Sequence, residues 1–124
     1  MRGIKAGFLK SLFEVNDEER CERYRKLWVK SKELGEKELT DLVKSKLNIE
    51  TGLFALLALY RKSSNTMLII LHDNRIPFDY ALGYVKRFFG QRFFEIGAGA
   101  EFEEIRELAA LLSRLLEEEA KLRN

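Results

Sequence analysis

Cysteine, histidine, proline and tryptophan each occur once in this 124-residue sequence, as Cys21, His72, Pro77 and Trp28. One cysteine cannot close an internal disulfide, and one cysteine with one histidine supplies no metal-ligand pair of the usual spacing, so no metal centre is expected. No apolar run approaches the roughly 20 residues of a membrane-spanning helix; the longest goes from Leu53 to Tyr60. The stretch from Met1 to Val15 scatters Arg2, Lys5 and Lys10 among apolar residues, and has neither the unbroken apolar core nor the cleavage site of a secretory signal. Charge of one sign is lacking too. With 22 basic residues against 20 acidic ones the formal net charge is +2, so any surface attractive to nucleic acid or an anionic membrane has to be local. A cytoplasmic protein that crosses no membrane and carries no cofactor is the expectation.

What is present is a chain that is 46% apolar, enough to bury one core, so a single domain over 1–124 is expected. The charged fraction of 34% exceeds the quarter or so usual in globular proteins and resembles the ion-rich composition of heat-adapted ones. The stretch from Asp17 to Lys46 carries nine basic and eight acidic residues, which suits a solvated helix face better than a phosphate-binding stripe.

Gly3 to Val15 carries both helical spacing (Ile4, Phe8, Leu12) and strand alternation (Ile4, Ala6, Phe8), and its two glycines favour a strand or irregular element. Asn16 followed by three acids predicts a helix start, with Cys21, Tyr24 and Trp28 as its stripe and Gly35 as its stop. Leu39, Leu42, Val43 and Leu47 repeat the helical pattern. Leu53 to Arg61 reads as a buried strand by its length and flanking residues, or as a short helix by its leucines and alanines. Thr66 to Leu71 is a β-favouring run that needs a pairing partner, and a hairpin through Ser63-Ser64-Asn65 provides one. Pro77 opens a helix with Phe78, Leu82, Val85 and Phe89 on its face and Gly90 at its end. Gln91 to Ile96 reads as a returning strand, and Glu101 to Leu122 as a long closing helix.

This order predicts an α+β fold, a ferredoxin-like split βαβ with an added C-terminal helix. If Leu53 to Arg61 is a helix, the alternative is a helix-turn-helix-like N-terminal unit followed by a small sheet. Through Tyr60 to Ile96 the predicted hairpin, helix and last strand resemble the ferredoxin-like protein subunits of ribonucleoproteins such as ribonuclease P. That resemblance is one of element order. It assigns no functional residue, and the Ser-Gly-Thr segment of that group is replaced here by Gly97-Ala98-Gly99-Ala100.

Three constellations have chemical content. Phe94-Glu95-Ile96-Gly97-Ala98-Gly99-Ala100 resembles the first motif of adenosylmethionine-dependent methyltransferases, in which glycines let the backbone approach a ligand at a helix N-terminus. Here the third glycine is replaced by Glu101 or Phe102, and the rest of the chain reads as one helix instead of further βα units. His72 and Asp73, with Arg75, sit at a predicted strand end and are the catalytic candidates, although a turn capping the next helix explains them as well. Lys86, Arg87, Arg92 and Phe93 lie in a basic and aromatic stretch suited to RNA phosphates and bases.

The closing helix offers a different use. Ile105, Leu108, Leu112, Leu115 and Leu122 follow helical spacing while Ala109, Leu111 and Leu116 widen the apolar surface, and the interface candidates are Ile105, Leu108, Leu112, Leu115, Leu116 and Leu122. The sequence therefore points first to a non-enzymatic assembly or adaptor subunit, self-associating or bound to a protein partner through that helix and a sheet face. A ribonucleoprotein accessory subunit comes second, and a small enzyme or nucleotide- or adenosylmethionine-binding domain third.

Overall fold

The computed structural model describes residues 17–45 and 49–123. Among them every regular element is an α-helix: α1 (Asp17–Glu33), α2 (Glu36–Ser45), α3 (Ile49–Lys62), α4 (Ser64–Asp73), α5 (Phe78–Phe89), α6 (Arg92–Ile96) and α7 (Ala100–Arg123). The α+β ferredoxin-like expectation is overturned, and the alternative with a small sheet falls with it, since the described residues contain no strand. The reading of Gly3 to Val15 as a first strand, the Asn16 cap and Leu47 lie outside the described residues.

The correction begins at α3. Leu53, Phe54, Ala55, Leu56, Leu57, Ala58 and Leu59 are each at most 1% exposed. A helix that is apolar all round is stable only when surrounded, and α3 is: α1, α2, α4, α5 and α7 all pack against it. The run that length assigned to a strand is the centre of a 14-residue helix. Leucine and alanine, among the best helix formers, fill it without the branched side chains that favour a pleated surface.

One residue then separates α3 from α4. Ser63 has extended backbone, and its Oγ accepts a hydrogen bond from the Thr66 N–H at 3.2 Å. Ser63-Ser64-Asn65 is thus a helix start and not a hairpin turn. The cap turns Thr66 to Leu71 into helix despite its β-branched residues, with Met67, Ile70 and Leu71 facing the core. At the end of α4 the Ile76 N–H bonds the Leu71 carbonyl and the Arg75 N–H bonds the His72 carbonyl. This is a Schellman ending, and it places Arg75 at φ 57°, a conformation usually left to glycine.

α5 begins and ends where Pro77 and Gly90 predict. The expected strand from Gln91 to Ile96 is instead the short helix α6, whose Phe94 ring stands edge-on to Phe88 at 4.8 Å and to Phe89 at 5.0 Å. In α1 the expected stripe of Cys21, Tyr24 and Trp28 is buried, and in α7 so are Phe102, Ile105, Ala109, Leu112 and Leu116.

Candidate functional site

The Gly97-Ala98-Gly99 turn links α6 to α7, and its geometry is occupied by the protein itself. A Cβ placed on Gly97 falls within 2.5 Å of the fully buried Phe102 ring, so this glycine lets the chain lie flat on an aromatic face. Gly99 has φ 104°, and its carbonyl accepts the Glu103 N–H in the first turn of α7. Two arginines hold the turn: Arg106 Nη1 donates to the carbonyls of Phe94 and Gly97, both at 2.8 Å, and Arg25 Nη2 donates to that of Ala98 at 2.9 Å. The methyltransferase-like glycines therefore build an intramolecular joint. Gly97→Ala is expected to cost about 2 kcal/mol through overpacking against an immobile ring, read as a lowered urea midpoint with unchanged slope.

His72 and Asp73 end α4 with side chains about 70% exposed, at 73% and 68%, and His72 Nδ1 lies 3.4 Å from Asp73 Oδ1. His72 borders an open cleft of about 430 Å³ with Arg75 and Asp79. Among the described residues no group of three or more His, Cys, Asp or Glu side chains converges as metal ligands would. Cys21 is buried in the core, and burial raises its thiol pKa, a shift only partly opposed by Arg25.

The basic and aromatic stretch is dispersed by its helices. Lys86 reaches Glu117 on α7 at 3.6 Å, and Arg92 reaches Asp17 on α1 at 3.1 Å. Phe88 and Phe94 are core residues, and the Phe93 side chain lies outside the described residues. Arg87 goes elsewhere: it is exposed one turn beyond Tyr84 on α5. The Tyr84 hydroxyl in turn donates to that of Tyr80 at 3.0 Å, with ring centroids 5.0 Å apart. Burial and the Tyr80 hydroxyl push the Tyr84 phenol up to about 12, so it stays neutral. Sequence reasoning misses this pairing of Tyr80 with Tyr84, whose only signal in the chain is an i, i+4 spacing.

Of the apolar residues singled out on α7, Ile105, Leu112 and Leu116 are fully enclosed in the chain's own core. Leu108 and Leu115 lie half-buried at its edge, and Leu122 is 79% exposed. Leu111, which widens the apolar surface, is 42% exposed. Along the helix Leu108, Leu111, Leu115 and Leu122 follow three-four and seven-residue steps, so they share one ridge beside the core stripe. Among the described residues no helix is long and apolar enough to cross a membrane.

No family model, curated protein or solved structure matches this chain.

Proposed function

We propose that this protein is a non-enzymatic helical assembly subunit that pairs with a second copy of itself through the outer ridge of α7. The observation that carries the reading is the exposure of Leu111 and Leu122 in line with half-buried Leu108 and Leu115. A contact surface on a sheet face has no counterpart among these helices, so the ridge bears the reading alone. In heptad terms Leu108, Leu115 and Leu122 take one seam position and Leu111 the other, while Glu107 and Arg114, seven residues apart, share the flanking position. In an antiparallel pair centred near Leu111, Glu107 meets Arg114 of the second copy, twice by symmetry. In a parallel pair Glu107 faces the fully buried Leu112, and only Arg114 faces an acid, Glu119. The antiparallel arrangement is thus the one that gives both Glu107 and Arg114 an opposite charge.

Light scattering over a concentration series tests this. The wild-type chain is expected to have twice the mass of one chain. Leu111→Lys, at a side chain that packing within the chain leaves open, should give a monomer of unchanged helicity. Exchanging the charges at one position, as in Glu107→Arg, should weaken pairing, and adding Arg114→Glu should restore it. A wild-type monomer at the highest concentration sinks the proposal.

A further inference from the structure

The cations that pair with no acid are as informative as those that do. Lys86 and Arg92 are tied to Glu117 and Asp17, and Lys32 and Arg61 to Glu104. Among the described residues several exposed cations take part in no side-chain ion pair, and three of them are Lys44, Arg75 and Arg87. They come from three different places in the chain, the end of α2, the α4–α5 turn and the last turn of α5. The fold sets them along one track.

Lys44 and Arg75 line a single pocket of about 250 Å³, and the Tyr80 ring forms part of the same wall. From Tyr80 the track follows α5: Tyr84 is one turn on, its ring edge-on to Tyr80 at 73°, and Arg87 is one turn further. Tyr80, Tyr84 and Arg87 stand at i, i+4 and i+7, which is one helix face about 10 Å long. Tyr80 is 45% exposed, and Gly83, exposed beside the two rings, has nothing within 4 Å of where a Cβ would stand. Asp79, next to Tyr80 in sequence, does not line this pocket and borders the neighbouring cleft, which Arg75 also lines.

The order is cation, aromatic, aromatic, cation. Guanidinium and ammonium groups neutralise phosphates, and exposed aromatic faces stack bases irrespective of sequence. The 250 Å³ pocket is smaller than the 300 Å³ or more typical of an enclosed small-molecule site, while the row running out of it is open at both ends. An extended chain that alternates phosphate with flat bases fits that shape.

We infer that Lys44, Arg75, Tyr80, Tyr84 and Arg87 form a binding track for single-stranded nucleic acid, with phosphates at the two cationic ends and bases against the tyrosines. The track differs from the basic stretch that stands out in the sequence and shares only Arg87 with it. It is also independent of the α7 ridge, since α5 packs on the other edge of that helix through Lys86 and Glu117.

Arg75 makes the test sharp. Because its backbone is left-handed, Arg75→Gly removes a cation while relieving a conformation that glycine adopts without cost. The variant should melt no lower than wild type and still bind less. Fluorescence anisotropy of short labelled oligoadenylate, as RNA and as DNA, is expected to show binding at low salt that weakens steeply as salt rises. Arg75→Gly and Arg87→Gln should each weaken binding and lower the salt slope by about one. Tyr80→Leu and Tyr84→Leu should cut affinity about tenfold with the slope unchanged. Lys37→Gln, an exposed cation elsewhere on α2, should change nothing.

No binding of either strand at low salt overturns the inference. So does equal weakening by Lys37→Gln, which means diffuse attraction, or full affinity in both tyrosine variants, which means no stacking. Equal affinity for duplex removes the single-strand specificity, and competition by adenosine monophosphate as strong as by the oligomer replaces the track with a nucleotide pocket.

Discussion

Replacing Phe54 by alanine is expected to lower stability by about 3–5 kcal/mol, the range for a large aromatic removed from a core that cannot close over the gap. Phe54 is fully buried at the middle of α3, and its ring meets Tyr24 at 5.8 Å and Trp28 at 6.1 Å on α1, and Phe88 edge-on at 5.5 Å on α5. One deletion therefore loosens two helix contacts at once. Against a total stability of roughly 5–15 kcal/mol for a small domain, it leaves a much smaller folded population at ambient temperature. Urea denaturation followed by circular dichroism reads the loss. A wider series tests the architecture as well. Leu53, Leu56, Leu57 and Leu59 are all at most 1% exposed, so each alanine variant should cost about 2–5 kcal/mol. A half-buried strand would instead show large and small effects at alternate residues. That alternation, or a Phe54→Ala loss near zero, contradicts α3 as the enclosed central helix.

The seven buried residues from Leu53 to Leu59 explain how far the fold was legible. α1, α5 and α7 each bury one face, so their apolar residues recur at helical spacing, and acids, proline or glycine mark their ends. α3 buries every face. Its pattern has no polar side and hence no period, and the length and flanks of the run stood against its leucines and alanines. In α4 the branched Thr66, Ile69 and Ile70 favour a strand, and the deciding interaction is a single hydroxyl, that of Ser63, in a tripeptide that also reads as a turn. α6 is too short for any period. The candidate sites divide in the same way. Tyr80 and Tyr84 are neighbours by helical spacing alone, whereas Lys44 and Arg75 are brought beside them by tertiary packing. Gly97 was conspicuous for the wrong reason: the sequence shows a glycine where the backbone comes close to something, and only the fold identifies that as Phe102.

Tertiary convergence is strongest at Glu104, the site of the other large expected effect. Its Oε1 accepts from Trp28 Nε1 at 2.7 Å and from Lys32 Nζ at 2.9 Å, and its Oε2 accepts from Arg61 Nε at 3.1 Å. Lys32 also lies over the Trp28 ring, 5.5 Å from its centroid. One carboxylate on α7 thereby joins α1 and α3. The ion pairs are partly exposed and contribute little individually. The indole is different: Trp28 is fully buried, and without an acceptor its N–H is stranded away from water. Glu104→Ala is expected to cost about 3 kcal/mol, most of it from that donor. Glu104→Gln keeps an oxygen for the indole and should cost nearer 1 kcal/mol. Burial raises the pKa of this carboxyl, but the bonds from Lys32, Trp28 and Arg61 together outweigh it and hold the value below the ordinary 4.5. A folded pKa below the unfolded one means that the contribution is complete above the unfolded value and disappears as pH falls through the folded one. Wild type should therefore be more stable than Glu104→Gln at neutral pH, and the gap should close in acid, below about pH 4.5. Urea midpoints of both proteins measured from neutrality down to about pH 3 check this. A gap that stays constant over that range means that the ionised carboxylate is not what stabilises the junction.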